Sequence, residues 1–226
     1  MTSPLSDLKI TPVNTANGIG MGQQLIGLKR CPHCSTAGPH FASVWISQGP
    51  TPRTDGGKKI NWGAYHCSSC GSIVTVSAEL AGASFAFKGV FPDAKIAHED
   101  IPEPARTFLQ QAYETLHALD AAAVMAGSAV DAMLKAHGLE AGSLYARIDE
   151  ALTKNLLTQG MADWAHNVRL GSNRPRHADK DKPHVSPNEA KQSVEFAEAL
   201  GNFLFVLTAR VNRGLKAAAG VVVINH

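Results

Sequence analysis

The sequence predicts an α+β protein: a small N-terminal β unit built on a zinc ribbon, then an all-α helical bundle. Three observations predict it. All four cysteines fall in the first hundred residues as two C-x2-C pairs. Those hundred residues hold 12 Gly and 7 Pro, against 8 and 5 in the remaining 126. From Pro104 onward, apolar residues recur at three- and four-residue steps, the period of a helix with one buried face.

The bounds on function come from composition. The chain has 226 residues, 44% of them hydrophobic, enough for one medium domain or two small ones. Only 14 residues are aromatic and 33 are alanine, so the core must come largely from small side chains, which suits closely packed helices. The net charge of +2 gives no global attraction to nucleic acid, so any anion site must be a local patch. Four cysteines are too few for a disulfide scaffold. Neither a signal peptide nor an apolar run of 18 residues is present, so the expectation is a soluble, cytoplasmic protein with no membrane contact.

The expected organisation has four parts: an arm over 1–28, a zinc-ribbon domain over 29–92, a helical bundle over 93–215 and a tail over 216–226. The arm shows no clear period and has room for one short strand. Strands are expected at Phe41–Ile46 and Ile73–Val76, with an exposed loop from Gly49 to Lys59 between them. Ile101-Pro102-Glu103-Pro104 links the halves. Phe108, Ala112, Leu116 and Leu119 begin the helical pattern, and a second helix stops at Gly138. Ser143 caps a third helix with its face on Leu144, Ile148, Leu152 and Leu156. A fourth is expected from about Met161 to Leu170. Ser186-Pro187-Asn188-Glu189 is a capping box with a first-turn proline, opening a last helix. Its apolar face runs Val194, Ala197, Leu200, Leu204, Leu207 and Val211, and Gly214 ends it.

Cys31-Pro32-His33-Cys34 and Cys67-Ser68-Ser69-Cys70 stand 32 residues apart. Each C-x2-C turn presents two sulfurs, and two such knuckles complete a tetrahedral thiolate shell for Zn2+. Gly71 permits the tight turn after the second pair. Disulfides and a thioredoxin-like redox pair are the competing readings. The first conflicts with an intracellular setting, and the second would not occur twice. His33, His40 and His66 lie nearby but are not needed as ligands. A closed four-thiolate shell leaves no position for a water, so the expected zinc is structural.

Residues 169–184 gather five basic residues, two histidines and two aspartates where the fourth helix is expected to end. Gly171 and Pro175 both oppose a helix continuing through them. The candidate nucleic-acid- or anion-binding residues are Arg169, Asn173, Arg174, Arg176 and His177. Guanidinium groups would clamp a phosphate, and His177, with Arg169, is the candidate catalytic group. A solvated basic loop, with Asn173 capping a helix end, explains the same residues without a ligand.

Residues 90–211 resemble a family of domains of unknown function, number 4145. The likeness rests on Phe91-Pro92, Ile101-Pro102-Glu103, Tyr113-Glu114, Asp131-Ala132-Met133-Leu134 and Gly142-Ser143-Leu144. It rests most on an R-x3-N-x3-H signature at Arg169, Asn173 and His177. The resemblance implies a bundle related to the HEPN superfamily of nucleotide- and RNA-associated helical domains, found in bacterial and phage genomes, often behind a zinc knuckle pair. Two departures stand out. Ser172 occupies the place of the ribonuclease members' catalytic arginine, and Ser128 and Asp131 stand where the family more often shows Arg and Leu-Glu.

The functional expectation is therefore a zinc-binding, non-catalytic module that contacts RNA, DNA or a protein partner, and pairs as a homodimer through helices flanking the basic turn, with Phe203, Phe205 and Val206 of the last helix beside its main apolar stripe. A metal-independent endoribonuclease using His177 and a nearby arginine is the first alternative. A purely structural or dimerisation protein is the second.

Overall fold

The computed structural model describes residues 20–81, 84–177 and 180–221. It is an α+β protein, as expected, with a sheet unit ending at Ala94 and a helical unit beginning at Lys95.

The sheet unit is an antiparallel meander with strand order β1-β2-β3-β4-β5. Its strands are β1 (Gln24–Leu25), β2 (Phe41–Ile46), β3 (Ile60–Cys67), β4 (Ile73–Ala81) and β5 (Ser84–Phe91). One face buries Leu25, Phe41, Tyr65, Val74 and Val76. β3 is hidden in the sequence for a physical reason: its buried positions are Asn61, Gly63, Tyr65 and Cys67, so alternation exists without apolar alternation. Gly63 is there for space, because a Cβ would lie 2.7 Å from the Tyr65 ring. A bulge at Lys88, opposite the Ser77–Ala78 step, breaks the register of β4 with β5 and interrupts the two-residue alternation of β5.

The helical unit comprises α1 (Ala105–Glu114), α2 (Leu119–Ala136), α3 (Leu144–Thr153), α4 (Gln159–His177) and α5 (Pro187–Gly201). A π-helical turn (Asn202–Val206) then leads into α6 (Leu207–Val221). α2 is the central rod, packing against α1, α3, α4 and α5. Ala122, Ala123, Ala126, Ala129 and Ala132 lie on its buried surface, so the alanine-rich composition serves close helix approach. The tightest approach is at Gly127, where a Cβ would sit 2.6 Å from Ser172 Oγ and 2.8 Å from Ser172 Cβ on α4. The caps match the sequence. Ser143 Oγ accepts from the Ala146 N–H, and Ser186 with Glu189 forms a complete capping box.

Three expectations are corrected. α4 does not end near Leu170 but runs through Gly171 and Pro175 to His177. Pro175 stands two residues from the helix end, so its missing N–H costs a single bond near a terminus where bonds are already scarce. Gly214 does not stop the last helix, which continues to Val221 and makes residues 216–221 helical. Finally, the apolar face of the last helix leaves the core after Val206. A π turn takes an extra residue and rotates the face of α6 relative to α5, so Leu207, Val211 and Leu215 are 52%, 52% and 65% exposed.

Candidate metal centre and helical cleft

In the sheet unit the two knuckles converge. The Sγ atoms of Cys31, Cys34, Cys67 and Cys70 all lie within 4.8 Å of one another, and all four residues are free thiols. Each knuckle is closed by its backbone. The Ser35 N–H donates to the Cys31 carbonyl at 2.9 Å, and the Gly71 N–H donates to the Cys67 carbonyl at 2.8 Å. Ser35 (φ 59°) and Gly71 (φ 73°) both take the left-handed conformation, so the two turns share one backbone design although only the second has glycine. Cys31 and Cys67 are buried, Cys34 is half-buried and Cys70 is exposed. Burial pushes the Cys31 thiol up to about 12, the environment in which a bare thiolate is disfavoured and a divalent cation is the natural counter-charge.

The nearby histidines brace the knuckles. His33 Nε2 lies 2.9 Å from the Ile73 carbonyl, just past the second pair, and His40 Nδ1 lies 2.9 Å from Ser68 Oγ inside it. The His40 carbonyl also accepts the Ser68 N–H at 2.9 Å. One histidine within the first knuckle and one beyond it are thus tied to the second, which holds four sulfurs together without adding a fifth donor. Four soft, closely spaced sulfurs form a cluster that can hold a metal ion, and the donor set fits Zn2+.

In the helical unit a cleft of about 600 Å3 is lined by α1, α2, α3 and α4. Because α4 stays helical, Arg169 and Asn173 share a face and both line it. The Arg169 guanidinium lies 5.3 Å from the centre of the Tyr145 ring, whose ring centroid lies 4.6 Å from that of His166. His166 is itself held by Asp149 at 3.0 Å. Among the described residues, Arg169 Nε is buried without a hydrogen-bond partner. This cation is positioned by an aromatic ring and has a donor to spare.

The other cations of the cleft are committed. Arg147 is buried and donates to Asp131 Oδ1 from Nε at 2.9 Å and from Nη2 at 2.5 Å. Its Nη1 donates to the carbonyls of Glu140, Ala141 and Gly142. Lys135 pairs with the other Asp131 oxygen at 2.6 Å. Sequence reasoning marks Asp131 only through the family likeness and as a departure from it, and misses Tyr145, Lys135 and Arg147 as cleft residues, because their meeting depends on how α2 and α3 pack.

The remaining candidates separate. Arg174, five residues from Arg169 on the helix, is not among the cleft's lining residues and donates from Nη2 to Glu189 Oε1 at 2.7 Å, although its own Nε is likewise buried without a partner. Glu189 also receives the Ser186 N–H and Lys182, which together hold its carboxyl far below the usual range. His177 is exposed at the end of α4 and is not among the lining residues of the cleft. The Arg176 side chain lies outside the described residues. Ser172 is 1% exposed and donates to the Arg169 carbonyl at 3.0 Å, wedged against Gly127. Its position faces α2, so an arginine there would have to separate two packed helices.

These features define an α+β protein whose sheet unit carries a four-thiol cluster and whose helical unit carries a cleft lined by an arginine that rests on Tyr145. Residues 110–217, from α1 to α6, match the model of a family described as Domain of unknown function (DUF4145). No curated protein and no solved structure matches the chain. No helix among the described residues is long and apolar enough to cross a membrane.

Proposed function

We propose that this protein is a non-catalytic nucleic-acid-binding module. In this reading Cys31, Cys34, Cys67 and Cys70 hold one structural Zn2+, completing a zinc ribbon that keeps the sheet unit folded. The helical unit is a HEPN-like bundle that receives a backbone phosphate in its cleft. The observation that carries the reading is Arg169, whose buried Nε has no partner and whose guanidinium rests on Tyr145. Such a donor suits a planar, charge-assisted contact with a phosphate, and Asn173 one turn along adds a neutral donor.

Binding is favoured over cleavage by spacing. Eight residues of α-helix separate Arg169 from His177, about 12 Å along the axis at 1.5 Å per residue. A general base must come within about 3 Å of the proton it takes, or act through one water. Arg169 lines the cleft and His177 is not among its lining residues.

The same reading includes a homodimer. α6 is tied back by Arg213, which donates to both oxygens of Asp100, and stands with Leu207, Val211 and Leu215 in one exposed row. A second copy laid along that row would cover it.

The test is binding of a labelled single-stranded RNA and a DNA duplex by wild type and by Arg169→Ala. Loss of a charge-assisted contact costs about 1.5–3 kcal/mol, roughly a ten- to hundredfold weaker Kd. Unchanged affinity in Arg169→Ala would overturn the cleft. Metal-independent RNA cleavage that disappears in His177→Ala would replace binding with catalysis.

A further inference from the structure

We infer that the open face of the five-stranded sheet is a stacking platform for the unpaired bases of single-stranded nucleic acid; the inference rests on the nucleic-acid-binding reading and adds a second, independent contact to it.

The register places the residues. Trp45, Ala64, Thr75 and Phe91 are direct partners in a row across β2, β3, β4 and β5. The next row is Trp62, Ser77 and Gly89. Strands lie about 4.8 Å apart, so Trp45 and Phe91 stand about 14 Å apart with small side chains between them. The opposite face carries Phe41, Tyr65, Val74 and Val76 and is the core of the unit. The second face of an antiparallel sheet is ordinarily polar. Here Trp45 is 54% exposed, Phe91 46% and Ile73 45%. Trp45, Ile73 and the Trp62–Phe91 pair thus leave aromatic and apolar surface on the face expected to be polar.

The platform is built in advance. The Ser47 N–H donates to the Trp62 carbonyl at 2.8 Å, and the Trp62 N–H donates to Ser47 Oγ at 3.0 Å. The Trp62 ring meets the Phe91 ring at 5.9 Å with a 38° tilt, so the pair presents one angled surface. Gly89 keeps that surface close to the sheet, since a Cβ there would press on Phe91 at 3.3 Å.

Charge selects the occupant. Lys58 and Lys88 flank Glu79 at 3.6 and 2.9 Å at the β3 start of the face. Their side chains are 81% and 46% exposed while that of Glu79 is 19% exposed, so the face shows the solvent two cations and a covered carboxylate. Separated aromatic rings with cations at the margin fit bases stacking one by one while the backbone follows the lysines. A continuous apolar patch, which a protein helix would need, is interrupted here by Thr75.

The experiment titrates the full zinc-loaded chain against labelled dT12, rU12 and an abasic 12-mer, following anisotropy. Trp45→Ala and Phe91→Ala should each weaken dT12 and rU12 about 5- to 100-fold, with Trp45→Phe retaining most of the affinity. Binding of the abasic strand should not change in these variants, whereas Arg169→Ala should weaken all three probes. Base stacking has a direct second readout. The chain has three tryptophans, so Trp164→Phe leaves only Trp45 and Trp62, both on this face, and dT12 should quench their emission where the abasic strand does not. Affinity within twofold of wild type in both alanine variants, or no preference of the wild type for dT12 over the abasic strand, overturns the platform while leaving the cleft standing. Weakening in the face variants with none in Arg169→Ala removes the cleft and keeps the platform. No binding of any probe overturns both.

Discussion

Two arginines line one cleft, and the structure gives them opposite work. Arg147→Ala removes a buried guanidinium whose five hydrogen bonds tie Asp131 on α2 to the carbonyls of Glu140, Ala141 and Gly142. Breaking a buried ion pair from one side costs about 3–5 kcal/mol. Asp131 keeps Lys135 and is 23% exposed, so some of its charge remains solvated and the low end applies, about 3 kcal/mol. For a helical unit of this size each kcal/mol moves Tm by about 4 °C, giving a fall of about 12 °C. Arg169→Ala loses a stacking contact worth about 0.5–1 kcal/mol, hence a few degrees. Urea titrations and thermal melts followed by helix circular dichroism separate the two. Arg147→Lys should recover little, because an ammonium cannot serve both Asp131 and three carbonyls in the geometry of the fork. Arg147→Ala losing less than about 1 kcal/mol, or Arg169→Ala losing as much as Arg147→Ala, would refute this division of roles.

Elemental analysis should find one zinc per chain, and Cys67→Ser should lose it together with the fold of the sheet unit while the helical signal persists. Glu189→Gln should cost about 1 kcal/mol at neutral pH, because Glu189 closes the α5 capping box and receives Arg174 and Lys182. Its folded carboxyl lies below the ordinary range, so the stability it adds is present above about pH 4.3 and fades as pH falls toward the folded value. Wild type and Glu189→Gln should therefore differ in Tm at pH 7 and converge in strong acid; a constant gap would show that the charge is irrelevant. Val211→Glu on the exposed row of α6 should turn a dimer into a monomer near 24 kDa by light scattering. A monomeric wild type removes the homodimer.

The legible parts of this chain are those where function or packing is local in sequence. A C-x2-C pair shows two ligands in four residues, and only the distance between the pairs is left to the fold. The capping box is complete within Ser186 to Glu189, so it can be read as written. β3 is hidden because its inward positions include Asn61 and Gly63, the latter small only to admit the Tyr65 ring. The end of α4 is misplaced by local rules because Gly171 and Pro175 carry helix-breaking propensities of real size. Ser172 against Gly127 offsets them with close α2–α4 packing, which propensity does not contain. The turn in direction of the last helix's apolar face is equally unreadable, since a π turn leaves no local signature in Asn202–Val206.

The continuity of α4 decides how the Arg-Asn-His signature is understood. Had the chain turned at Gly171, Arg169 and His177 could have folded toward one point, the arrangement a phosphodiester cleavage site needs. A continuous helix aligns the three residues but strings them along about 12 Å. It also directs Ser172 inward, where it fills the space that Gly127 leaves. Among the described residues, Arg169 meets a prepared surface, with Tyr145 beneath it and Asn173 beside it in the cleft, while His177 is exposed at the helix end. A row of donors spaced along a helix can track a phosphate backbone from one unit to the next.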